Sequence, residues 1–210
     1  RRFLKRSGGS EEKLWWAPAE IFDSQTTRTL SLLCIASVIT GYLVALLGQT
    51  AKFAAEEFGA SDRAQGVLLA MVRIGTLITV VVAGLADKHG RKRLLIFSLW
   101  SGCAITLLSA ASPNIVILGI SQAMARGFAT AISILIGIIA AEAAPKGSRA
   151  YIAGILTLTA GLGAGIPVWL LSLADVHTRG WRLLFLISFA FFPVISWLRA
   201  QLHESVRFNS

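Results

Sequence analysis

The chain has 210 residues, is 55% hydrophobic with a mean hydropathy of +0.68, and only 15% of its residues are charged. Ordinary soluble domains carry roughly 25% charged residues, and a soluble domain of this size, although long enough to bury a core, would not need so many uninterrupted apolar runs. The formal net charge of +9 invites a nucleic-acid reading, but the basic residues gather at the ends of apolar runs rather than on one aromatic-interleaved face, and no nucleic-acid partner is expected.

Residues 1–28 form a polar, mixed-charge tail. Within it, Trp15, Trp16, Ile21 and Phe22 make a short amphipathic patch expected at the level of lipid headgroups, where tryptophan is favoured. No signal peptide is visible, because the basic start runs into Gly8-Gly9-Ser10-Glu11-Glu12 instead of an apolar stretch. The first residue is Arg1 rather than methionine, and the true start is expected to lie upstream.

Six apolar runs follow, at 29–50, 64–86, 94–112, 114–141, 150–173 and 181–202. A helix needs about 20 apolar residues to cross a bilayer. Each run is expected to be helical, because lipid offers no partner to an unpaired backbone group. The sequence therefore predicts an all-α membrane protein with six transmembrane helices, its bundle running from 29 to 204. The loops are short, so consecutive helices are antiparallel. Pro113 ends the third run, and Asn114 suits a tight turn before the fourth.

Six spans place both chain ends on one side. Of the 20 Lys and Arg residues, 14 fall on that side, in the tail, in 87–93, in 142–149 and at the chain's end (Arg199 and Arg207). Lys52, Arg63, Arg179 and Arg182 make up the 4 on the other side, and Arg73 and Arg126 are the 2 within spans. Positive charge is retained in the cytoplasm, so both ends are expected there, in a plasma or bacterial inner membrane. The first outer loop also carries Glu56, Glu57 and Asp62.

Cys34 and Cys103 lie in apolar runs and outside any metal or redox spacing, and His89, His177 and His203 fall in loops. No metal site and no cofactor are implied. A membrane protease would need a histidine near Ser133 or Ser172 at membrane depth, and no histidine lies in a span. No phosphate-binding Walker loop is present, so the chain does not draw on ATP. An enzyme is not expected.

Arg73 and Arg126 sit near the middle of spans two and four. A charge there costs at least about 2.5–3.5 kcal/mol on insertion scales, so each should face a partner or a wet cavity. No Asp or Glu occupies the centre of any span, which leaves helix carbonyls, Gln49, Gln122, a substrate anion or acidic groups outside this chain. Span five contains Gly161, Gly163, Gly165 and Pro167, a spacing that allows close helix approach and a local bend, and Gly41, Gly48, Gly66 and Gly75 invite the same packing reading.

The most informative stretch is 84–93, Gly-Leu-Ala-Asp-Lys-His-Gly-Arg-Lys-Arg, a short charged loop that must turn a transmembrane hairpin. Gly84 and Gly90 allow a sharp turn, Asp87 and Lys88 close one helix, and Arg91, Lys92 and Arg93 open the next. The spacing Gly-x-x-x-Asp-Lys-x-Gly-Arg-Lys resembles the loop between helices 2 and 3 of the major facilitator superfamily of secondary transporters. Glu142 and Arg149, with Pro145 between them, resemble the Glu-x6-Arg that follows helix 4 of its sugar-porter branch. Leu202-His203-Glu204-Ser205-Val206-Arg207 resembles the Pro-Glu-Ser-Pro-Arg after helix 6, with both prolines replaced. The Gly180-Trp181-Arg182 entry to span six is similar as well, and the resemblance covers about residues 29–207.

The resemblance implies two three-helix inverted repeats, forming the N-terminal half of a fold completed by a second six-helix half. Residues 205–210 would begin the central cytoplasmic loop. The inner-face charges are then a set of ion pairs that form in one state and separate in another. Helix 4 of the family often carries Arg-x-x-Gln-Gly; here Ala123 stands at the arginine position and Arg126 at the glutamine position before Gly127. The glycines of span five resemble the helix 5 motif of facilitator antiporters. The expected function is secondary transport of a small polar metabolite by alternating access, an organic anion with proton coupling, with a sugar transporter or a non-transporting sensor or scaffold of the same fold as alternatives.

Overall fold

A computed structural model describes residues 22–145, 147–173 and 177–202. They form α1 (Ser24–Glu57), α2 (Asp62–Ile74), α3 (Leu77–His89), α4 (Arg91–Ser109), α5 (Ile115–Ala143), α6 (Arg149–Trp169), α7 (Trp181–Leu186) and α8 (Phe191–Gln201), with no strand among the described residues. Among the described residues, six stretches are long and apolar enough to cross a membrane. Span one is α1, span two is α2 with α3, span three is α4, spans four and five are α5 and α6, and span six is α7 with α8. The tail through Ile21, Lys146 and the segment from His203, including Glu204 and Arg207, lie outside the described residues.

Local chemistry sets the helix ends. The first helix is longer than the apolar run 29–50 and carries Glu56 and Glu57 in its last turn rather than in a loop. Alanines at 54 and 55 favour helix, and Lys52 reaches Glu56 at 3.9 Å across one turn. Gly59, at φ 59°, ends it: its N–H donates to the Glu56 carbonyl and that of Ala60 to the Ala55 carbonyl, the paired closure of a Schellman motif. Asn114 does not sit in a turn conformation. Its extended backbone caps α5, and its side-chain oxygen accepts from the Ile117 N–H at 2.9 Å.

Spans two and six are each interrupted. Span two tightens at Gly75 and Thr76, where the Thr76 N–H and hydroxyl both donate to the Arg73 carbonyl. Span six passes through a 3-10 turn at Ile187–Ala190. Pro193, in the first turn of α8, has no N–H to continue an α-helical ladder across that junction.

Two pairs of helices cross at backbone distance. On α1 and α6, a Cβ added to Gly41 would come within 1.9 Å of the Ala160 carbonyl oxygen, and one added to Gly163 within 2.0 Å of that of Val38. At the crossing of span two with α5, a Cβ on Gly75 would come within 1.9 Å of the Ala123 carbonyl oxygen, and one on Gly127 within 2.5 Å of that of Gly75. Only glycine permits such approach. The Thr79 hydroxyl adds a bond to the Gly127 carbonyl at 3.0 Å. One crossing joins spans one and five, and the other joins spans four and two. Exchanging the first three spans with the last three converts one crossing into the other, which is the internal symmetry of two three-helix repeats. Gly161, Gly165, Gly48 and Gly66 have open space where a Cβ would go, so only Gly163, Gly41 and Gly75 of those glycines hold a crossing. Pro167 is buried in the last turn of α6.

The core lies along α1, where Leu33, Ile39, Tyr42 and Leu46 meet Leu99, Ile132, Leu135, Trp181 and Phe185. The Tyr42 hydroxyl donates to the Leu184 carbonyl, tying α1 to α7.

Candidate functional site

The charged groups collect at three levels of the bundle. At one end, α3 terminates at His89 and α4 begins at Arg91, joined by Gly90 at φ 90°. That value requires glycine, and it makes the turn of the 84–93 segment a single residue long. Gly84 takes no part in the turn; it lies within α3 with open space around it. The side chains of Asp87 and Lys88 lie outside the described residues. Arg91 donates to Oε1 of Glu142, at the end of α5, and both are about a fifth to a quarter exposed (24% and 21%). Oε2 of Glu142 is buried and accepts no hydrogen bond among the described residues. Lys92 is half-buried beside Arg91 in the first turn of α4.

The geometry separates Arg149 from the carboxylate seven residues before it. Arg149 forms no ion pair with Glu142 among the described residues. It is exposed at the start of α6 and lines a cleft of about 370 Å³ between α1, α5 and α6, together with Ser37, Thr40, Ser133 and Thr157. The helix ends explain this: Pro145 and the turn at 147–148 carry the chain away from α5 before α6 begins.

At mid-bundle, the crossing of span two with α5 sets Arg73 and Arg126 near enough for their like charges to act on one another. Arg126 is half-buried and donates to the Val44 carbonyl on α1 at 2.7 Å. No carboxylate pairs with it among the described residues. Arg73 is exposed on span two. Gln122 is turned elsewhere: it is buried between α4 and α5, where its amide donates to Ser109 Oγ at 2.9 Å. Gln49 is half-buried on α1. A backbone carbonyl is thus the group that meets Arg126, and an arginine suits this because it donates along several directions at once.

At the opposite end, Glu57 of the outer-loop charges and the Gly180-Trp181-Arg182 entry to span six come together in one cluster. Glu57 Oε2 accepts from the Trp181 indole at 2.7 Å and from Arg182 Nε at 3.1 Å, and Oε1 from Arg182 Nη2 at 3.0 Å. Arg179 Nε lies 3.3 Å from Oε1. The signal available in the sequence was an acidic residue at the end of span one and an arginine at the start of span six. Nothing in one dimension shows that these ends meet.

The family model of the Major Facilitator Superfamily matches residues 33–209. The chain belongs to the Major Facilitator Superfamily. Among curated proteins it is similar to the shikimate transporter of Escherichia coli (strain K12), at 27% identity over 202 residues, covering 82% of this chain and 45% of that protein. Among solved structures it is similar to a bacterial homolog of the human lysosomal transporter Spinster. In the inward-facing, unoccupied conformation the TM-score is 0.74 at 17% identity, over 88% of this chain and 44% of the other. In the inward-facing, occupied conformation it is 0.71 at 18% identity, over 87% and 45%. This facilitator chain therefore spans less than half the length of the relatives it matches.

Proposed function

We propose that this facilitator chain forms one six-helix half of a secondary active transporter that moves a small organic anion across the membrane by alternating access, coupled to protons. The observation that carries the anion is Arg126. Its charge is half-buried at mid-bundle, a neutral carbonyl is its partner, and Arg73 stands near it with the same sign. An anionic cargo would lower the cost of holding both guanidinium groups at that depth. Similarity to a shikimate transporter supports the same class, since shikimate is a hydroxylated carboxylate. The hydroxyl-lined cleft beside Arg149 fits a cargo with hydroxyl groups as well.

The second six-helix half would close the cavity and cover the exposed apolar faces of span two and α6, which include Val80, Val81, Leu158 and Trp169. The bias of Lys and Arg supports an orientation with both ends of the bundle in the cytoplasm, in the plasma or inner membrane. The end that carries Arg91 and Glu142 is then the cytoplasmic gate, with Asp87, Lys88, Glu204 and Arg207 as further members.

The test is uptake of radiolabelled shikimate into cells that express the complete protein, with wild type compared with Arg126→Gln. We expect wild-type uptake that is inhibited by other carboxylates and not by neutral hexoses, and a loss of at least about tenfold in the variant, the scale of one charge-assisted contact. Uptake of a neutral sugar that survives Arg126→Gln would overturn the anion and favour a sugar cargo.

A further inference from the structure

The charged pairs at the two ends of the bundle obey the same internal symmetry as the glycine crossings. Glu57 ends span one, and Glu142 ends span four. They are separated by the same sequence interval as Gly41 and Gly127, to within one residue. Glu57 binds Arg182 at the start of span six, and Glu142 binds Arg91 at the start of span three. Exchanging the repeats carries one pair onto the other. Spans one and four run antiparallel, so the pairs stand at opposite ends.

The two pairs differ in completeness. Both oxygens of Glu57 are occupied, by Trp181, Arg182 and Arg179. Arg182 also donates to the carbonyls of Ala110 and Ser112 at the end of α4, the second at 2.9 Å, so it joins spans one, three and six. Carbonyls at a helix C-terminus favour a cation there. Its guanidinium lies 4.9 Å from the Trp181 ring centre and 5.7 Å from that of Phe58, and Trp181 is wholly buried. Glu142 instead keeps one buried oxygen without a hydrogen bond among the described residues. A buried acceptor left open is costly and is relieved when a donor arrives.

We propose that the two symmetry-related pairs have diverged in role: the Glu57–Trp181–Arg182 knot stays closed through the transport cycle and holds spans one, three and six as one body, while Glu142 is the pair member that exchanges partners. Exchange of partners at Glu142 rests on the transporter reading; closure of the knot does not.

The first arm of the test is melting of the complete purified protein. Glu57→Gln and Arg182→Gln each lower the melting temperature by several degrees, the double variant lowers it no further than the worse single one, and Glu142→Gln shifts it less. Additive losses, or wild-type melting in Glu57→Gln, would overturn the knot. The second arm replaces Cys34 and Cys103 and then introduces cysteines in pairs. Joining Glu57→Cys to Arg182→Cys with a short reducible bis-thiol reagent keeps shikimate uptake. Joining Arg91→Cys to Glu142→Cys in the same way lowers uptake well below the already reduced level of the same double-cysteine protein before joining, and reduction returns it to that level. Loss of uptake on joining the first pair, restored on reduction, would show that the Glu57 end moves and defeat the proposal. The melting arm needs no cargo. A wild type that takes up no shikimate thus counts against the transport reading, and the knot is decided by melting alone.

Discussion

Gly163 on α6 lies so close to Val38 on α1 that a Cβ at Gly163 would come within 2.0 Å of the Val38 carbonyl oxygen. No side chain can yield there, because the obstacle is backbone. Gly163→Ala should therefore force α1 and α6 apart, at a cost of about 1–3 kcal/mol or more, as overpacking does. Gly161→Ala and Gly165→Ala, with open space at the same atom, should leave the protein near wild type. Melting temperatures of the three purified variants check this, and equal losses in all three would contradict it.

The Arg91–Glu142 pair predicts a functional phenotype rather than a folding one. Arg91→Ala and Asp87→Asn should slow transport far more than they lower the amount of protein in the membrane. Part-exposed ion pairs contribute only about 0–1 kcal/mol to stability, so their loss is tolerated by the fold. Uptake normalised to membrane abundance measures the effect. Normal turnover in both variants would leave these residues as topology signals only.

Orientation is open to direct labelling. With Cys34 and Cys103 replaced, His89→Cys should react with a membrane-impermeant maleimide only from the cytoplasmic face, and Ala60→Cys only from outside. Reaction of both from outside would reverse the orientation drawn from the charge bias.

The Tyr42 hydroxyl donates to the Leu184 carbonyl, and its ring meets Phe191 edge-on with centres 5.2 Å apart. Tyr42→Phe keeps the ring contact and removes only the hydrogen bond. A loss of about 0.5–1.5 kcal/mol is expected, read as a modest drop in melting temperature. Tyr42→Ala, which also opens a cavity, should cost about 3–5 kcal/mol. Equal stability of both variants would show that the hydroxyl, and not the ring, carries the contact.

The sequence by itself determined the number of spans, their helical state and the family. Those properties are local: a run of some 20 apolar residues has no folded alternative in lipid, and the 84–93 motif is contiguous. It also marked Gly84 and Gly90 as turn glycines, of which only Gly90 makes the turn, and marked Arg73 and Arg126 as charges in need of a partner. It did not distinguish Gly163 from Gly161 and Gly165, because which glycine faces a neighbour depends on helix rotation, and the packing partner sets that rotation. It offered Gln122 among several partners for the membrane arginines, whereas the contact of α4 with α5 turns that amide toward Ser109. Both Glu142 and Arg149 were candidates to pair with the 84–93 loop; Glu142 meets Arg91 there, while Arg149 faces a cleft. Glu57 and Arg182 are separated by nearly the whole bundle in sequence, and only the return of span six to the end of span one brings them to 3.0 Å. Contacts within a helix follow from its periodicity. Contacts between helices follow from crossing geometry, which here the glycine pairs at backbone distance decide.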